Sequence, residues 1–112
     1  MKTWYNIKAQ APESSRAEVN ILSEIGDWGI TAQQYLNEFR AIKAENVDVY
    51  INSPGGNVVE GIAIFNGMRA TGKNITIHVL GIAASIASYL AMCGARVVMP
   101  ANTMMFIHNP LN

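Results

Sequence analysis

Two hydrophobic periods take turns along the chain. Glu18-Val19-Asn20-Ile21-Leu22-Ser23-Glu24-Ile25 alternates in part and stops at Gly26-Asp27, which predicts a strand. Thr31 then occupies an N-cap position. Beyond it Tyr35, Leu36, Phe39 and Ile42 recur at helical spacing among Glu38, Arg40 and Lys43, which predicts an amphipathic helix of about three to four turns. Val47-Asp48-Val49-Tyr50-Ile51 is strand-like and runs into Asn52-Ser53-Pro54-Gly55-Gly56. A second helix follows over Val58 to Ala70, with Val59, Ile62, Ala63, Phe65 and Met68 to one side and Gly72 as its stop. Ile75 to Leu80 predicts a strand that Gly81 breaks, and Ala83 to Cys93 a helix that Gly94 ends. Arg96 to Met99 and Met104 to Ile107 predict two short strands, and Trp4 to Ala9 one more at the start. Strands thus alternate with helices at intervals of about 25–30 residues, the pattern of βα units on a largely parallel sheet.

Composition changes that picture in one respect. Charged residues make up 14% of the 112 and hydrophobic ones 50%, against about 25% charged in ordinary soluble domains. So few charges imply apolar surface covered by something other than this chain, and self-association is the simplest cover. A net charge of zero gives no electrostatic case for nucleic acid. Asn74 to Ala95 carries no Asp, Glu, Lys or Arg and is nearly long enough to span a bilayer. Its β-branched alternation and Gly81 make it a strand–turn–helix unit instead, so no membrane span is expected. A first segment without an apolar signal core makes the cytoplasm the default location. The length allows one domain, residues 1–112.

Three short stretches carry candidate chemistry. Ser53-Pro54-Gly55-Gly56 ends a strand and precedes a helix, so its glycine N–H groups are free to face a cleft; a plain tight turn is the other reading. Ser85 follows a strand and begins a helix, where a hydroxyl and the N–H of Ile86 face the same way; a simple N-cap is the other reading, and G-x-S-x-G is not matched. Ser88 lies one turn further in and faces packing. His108 ends an apolar strand before Asn109-Pro110, whereas His78 sits mid-strand, so His108 is the better base. Together they supply a nucleophile, a base and two oxyanion donors, which suits acyl transfer. Two separated histidines are too few for a metal centre, and no Walker or dinucleotide loop is present, so no cofactor is expected.

These motifs resemble one family. Ile51-Asn52-Ser53-Pro54-Gly55-Gly56, Gly81-x-Ala83-Ala84-Ser85 and Met99-Pro100-x-Asn102-x-x-Met105-x-Ile107-His108-x-Pro110 occur in the order and near-spacing of the Clp proteolytic subunit, a self-compartmentalised serine peptidase. The likeness covers about Glu18 to Asn112, with a flavour of phage and prophage members linked to head maturation. It implies an α/β fold, a Clp and crotonase-like spiral of strand–helix units. It implies Ser85 as nucleophile, His108 as general base, and Gly56 and Ile86 as oxyanion donors. It implies that the segment after Gly56, with Gly55, Asn57 and Val58, pairs with substrate backbone as an added strand. It implies polypeptide substrates, a ring of identical subunits, and an ATP-dependent unfoldase or phage head proteins as partners.

The family's third triad member is an acid downstream of the histidine, followed by a long handle helix. Here the last acidic side chain is Glu60, so the chain is similar to the N-terminal two-thirds of a member, and weak or no turnover is expected of these 112 residues alone. Three other readings stand beside the peptidase. One is a crotonase-like acyl-CoA enzyme on the same spiral. Another is a Ser–Lys dyad using Lys73. The last is an inactive assembly or scaffold piece.

Overall fold

A computed structural model describes residues 3–8 and 15–106 of the chain. Six strands form one sheet. β1 (Tyr5–Lys8) pairs antiparallel with β2 (Arg16–Ile21). β2, β3 (Asn46–Ser53), β4 (Asn74–Ala84) and β5 (Arg96–Val98) run parallel in that order, and β6 (Met104–Phe106) pairs parallel with the far end of β4. Helices α1 (Ala32–Arg40), α2 (Val58–Ala70) and α3 (Ile86–Ala91) fill the crossovers. The expected α/β architecture of strand–helix units is therefore present, with one antiparallel strand at the edge.

Alternation along each strand decides where the core lies. Val19 and Ile21, Val47, Val49 and Ile51, and Ile75, Ile77 and Val79 are buried and share one cluster with Tyr35, Leu36, Phe39, Ile64, Met68, Ile86 and Leu90 of the helices. The intervening residues face the other way. There Asp48 accepts hydrogen bonds from Nε and Nη2 of Arg16, both at 2.9 Å, and lies 3.0 Å from Nε2 of His78. The His78 ring stacks on Tyr50 at 4.5 Å. Further along the same face, Leu80, Met104 and Phe106 are exposed. Among the described residues no helix covers this side of the sheet, which is polar at one end and apolar at the other, although mainly parallel sheets are usually covered on both faces.

Several boundaries differ from the sequence pattern, each for a tertiary reason. The strand expected to reach Ile25 stops at Ile21, and a 3-10 turn, Asp27–Gly29, intervenes before α1. Thr31 caps α1 as expected, accepting the Gln34 N–H, but the helix ends at Arg40. The Lys73 ammonium holds the following segment out of the helix by donating to the carbonyls of Ile42 and Ala44 at 2.8 and 2.6 Å.

The largest difference is at Gly81, which does not break β4. The strand continues to Ala84 across an irregularity: Ile51 pairs with Val79 but Ser53 with Ala83, so β4 contains two extra residues. The Asn52 side chain fills the gap by accepting the Ile82 N–H at 3.1 Å, and a Cβ on Gly81 would lie 2.8 Å from that same oxygen. Glycine is needed there for close approach, not for termination. With β4 longer, α3 is shorter than expected, covering Ile86–Ala91. No helix among the described residues is long and apolar enough to cross a membrane.

Candidate active site

The C-terminal end of β3 delivers the two-glycine loop. Ser53 is fully buried; its hydroxyl donates to the Ser23 carbonyl at 2.7 Å and accepts the Gly55 N–H at 3.1 Å, which closes the turn around Pro54. Gly55 and Gly56 then take φ of +119° and +138°, a region that side chains disfavour. Ile25 clamps the loop from one side, donating to the Gly55 carbonyl at 2.7 Å and accepting from the Asn57 N–H at 3.0 Å. A Cβ on Gly56 would lie 2.3 Å from the Ile25 oxygen, so no side chain fits. Because Ile25 bonds to the residues on either side of Gly56, the Gly56 N–H is directed away from Ile25, as in any parallel bridge.

Ser85 meets this loop from the other side. A Cβ on Gly55 would lie 3.0 Å from the Ser85 Cβ and 3.5 Å from its Oγ. Ser85 occupies the turn between β4 and α3 with φ 56° and ψ −128°, a strained conformation for a residue with a side chain. Its main-chain groups hold it there: the N–H donates to the Phe106 carbonyl of β6 at 3.0 Å, and the carbonyl accepts the Ser88 N–H at 3.0 Å and the Ser88 hydroxyl at 2.6 Å. The Ser85 hydroxyl makes no capping bond to α3. The simple N-cap reading of this serine therefore does not describe it. Ile86 is the first residue of α3, so its N–H is among those that a helix leaves without an internal acceptor. Its side chain is wedged against α2, where a Cβ on Gly61 would come within 2.2 Å of Ile86 Cγ1.

The sequence-predicted residues thus divide. Gly55, Gly56, Ser85 and Ile86 converge on one loop-and-turn junction. Ser88 is buried and serves the turn, as its place one helical turn in implies. Asn57 and Val58 stand at the start of α2. Asn57 is the N-cap of α2, its side chain accepting the Glu60 N–H at 3.0 Å and its own N–H given to Ile25, and Val58 is already helical. His108 and Ile107 lie outside the described residues.

Lys73 cannot serve as a dyad base: it lies just before Asn74, at the opposite end of an 11-residue strand from Ser85, a span of about 35 Å. The Glu60 carboxylate accepts the Ala32 N–H at the start of α1. Two supporting residues hold the loop, Ser53 by its side chain and Ile25 by its main chain. The turn signal of serine before Pro-Gly-Gly marks Ser53 in the sequence; Ile25 carries no such signal and is missed, because its role is purely main-chain.

The site is a hydroxyl on a strained strand-to-helix turn, packed against a two-glycine loop, with main-chain N–H groups on both sides. A family model for Clp protease matches residues 14–112. The chain is 39% identical over 90 residues to the ATP-dependent Clp protease proteolytic subunit of Chara vulgaris, covering 78% of this chain and 40% of that protein. It is 41% identical over 70 residues to the protein of the same description from Ligilactobacillus salivarius (strain UCC118), covering 60% of this chain and 35% of that one. The structure superposes on the crystal structure of the ClpP protease catalytic domain from Plasmodium falciparum with a TM-score of 0.68 and 28% identity, over 83% of this chain and 54% of that chain. The matched regions span well under half the length of those two curated relatives. With a family model matched over nearly its whole length, the chain belongs to the Clp protease family.

Proposed function

We propose that the protein is a serine endopeptidase, with Ser85 as nucleophile and His108 as its general base. The observation that carries this is the strained Ser85 turn against Gly55, because strain of this kind persists where surroundings over-determine it for a use. The Ser85 Oγ attacks the scissile carbonyl while its proton passes to His108. The oxyanion that forms accepts from the N–H groups of Gly56 and Ile86. Collapse expels the amine, which takes the proton from His108, and leaves an acyl-Ser85. Water, deprotonated by the same histidine, then releases the acid. Reach supports the pairing: His108 follows Phe106 by two residues, a span of at most about 7 Å, and Phe106 is bonded to Ser85.

A fluorophosphonate tests the assignment. Its phosphorus should attach to Ser85, read by peptide mass, and Ser85→Ala should lose the adduct. A folded protein that takes no label would refute the proposal. Among the described residues no carboxylate stands beside Ser85, and the 112-residue sequence has no acid after Glu60. We therefore expect these 112 residues alone to turn over peptide about 10⁴-fold more slowly than a complete triad, and to take the label at Ser85 correspondingly more slowly.

The relatives are named as subunits of an ATP-dependent protease, and the open sheet face with Leu80, Met104 and Phe106 exposed is suited to protein contacts. We extend the proposal to a ring of identical chains acting on unfolded polypeptide in the cytoplasm beside an ATP-dependent partner. The likeness of its first segment to phage members makes head proteins a second substrate class. Sedimentation at rising concentration should show assembly; a clean monomer throughout would count against the ring.

A further inference from the structure

We propose that Trp28 is a specificity-determining residue that packs against a side chain of the bound peptide at the rim of the site; this rests on the peptidase reading above. Only two non-glycine residues among those described have positive φ, Ser85 and Trp28. Trp28 takes φ 56° and ψ 23°, unusual for a bulky aromatic. Both strained residues border the same loop. Ser85 touches it at Gly55, and Trp28 follows Ile25, whose bridge to Gly56 anchors the opposite side.

The segment carrying Trp28 is fixed at both ends. A Cβ on Gly26 would lie 3.2 Å from Asn57 Cβ, and the Ala32 N–H is bonded to Glu60. Within it, Asp27 accepts from the Trp28 N–H at 3.0 Å through its carboxylate and from the Ile30 N–H at 3.2 Å through its carbonyl. Two residues separate Ile25 from Trp28, three steps of chain, so the indole-bearing Cα lies within about 10 Å of the bridge.

About half of Trp28 remains uncovered, at 48% exposed, whereas the other tryptophan, Trp4, is fully buried, stacks on Tyr35 and donates its Nε1–H to the Ile30 carbonyl at 3.0 Å. Glycine at position 28 would adopt the same backbone without strain. A large aromatic surface is therefore presented, at a conformational cost, beside the loop that would hold the scissile carbonyl. Its chemistry suits an apolar or aromatic peptide side chain.

The test compares rates of Ser85 labelling by two fluorophosphonates, one with a short alkyl group and one carrying a peptide with Leu and Phe side chains. Trp28→Gly should lower the rate with the peptidyl probe about tenfold more than the rate with the alkyl probe. Trp28→Phe should recover most of that difference, and the Gly variant should unfold at the same temperature or higher. An unchanged ratio of the two rates with Ser85 still labelled would overturn the role of Trp28 alone. So would an unchanged ratio accompanied by altered sedimentation, which would place Trp28 against a second copy of the chain. Failure of both probes to label Ser85 in the parent would overturn the peptidase reading and this inference with it.

Discussion

Ser85 holds a backbone conformation that glycine would adopt without strain, so function and stability oppose each other at this one residue. Ser85→Gly should abolish fluorophosphonate labelling yet raise folding stability by about 1 kcal/mol, the relieved strain less the extra chain entropy of glycine. Denaturant midpoints would show it; a variant less stable than the parent would mean the turn is not strained. The reverse holds at the loop. Gly56→Ala forces a methyl to 2.3 Å from the Ile25 oxygen and should cost at least about 2 kcal/mol, seen as a fall in the unfolding midpoint. Cys93 makes a quieter case. Burial pushes its thiol up to about 11, so the folded protein should resist iodoacetamide at neutral pH and react only once unfolded, as read by intact mass. How much of this was legible in the sequence differs by residue. Ser85 could be found from its place between strand and helix. Its positive φ could not, since Ala-Ala-Ser carries no local preference for it; the bonds to Phe106 and Ser88 impose it.

Among the elements, α2 shows what local pattern can deliver. Its bounds follow from Asn57 as cap and Gly72 as stop, and the sequence expectation of Val58–Ala70 matches the observed helix. Its packed side is another matter: Gly61, Ile64, Gly67 and Met68 are buried, whereas Val59 and Ala63, expected on that side, are exposed. A helix gains about 1 kcal/mol from Gly→Ala when exposed, but Gly61 faces Ile86 so closely that Gly61→Ala should destabilise by about 1–3 kcal/mol. It should also shift α3 and slow Ser85 labelling. An alanine variant as stable and as reactive as the parent would contradict this packing. β4 is the counter-example. Read alone, Gly81 ends a strand; read beside Asn52, it lets the strand pass. Periodicity cannot see a side chain thirty residues away, and so the strand is longer and α3 shorter than the pattern predicts.

For the molecule as a whole, the open polar face predicts an acid limb to its stability. The Arg16 guanidinium bonded to Asp48, helped by His78, holds that carboxyl below its ordinary value of 3.8 against the opposing effect of burial. A depressed value means the folded state binds this proton less readily than the unfolded chain. The resulting stability is present above 3.8 and is lost as pH falls through the lower folded value. Unfolding temperature should therefore drop through that acid window, and Asp48→Asn should be less stable at neutral pH and show a shallower drop. Overall topology was legible because strand and helix periods alternate cleanly, and so was the single covered face, because Val47, Val49 and Ile51 alternate with Asp48, Tyr50 and Asn52. The paired surplus in β4 also limits how the chain can change length. A single residue added between Val79 and Ala83 would turn the nucleophile's strand inside out, sending buried Ala83 to water and the hydroxyl with it, whereas two would restore the original facing. Length variants of this strand should consequently survive by even steps only.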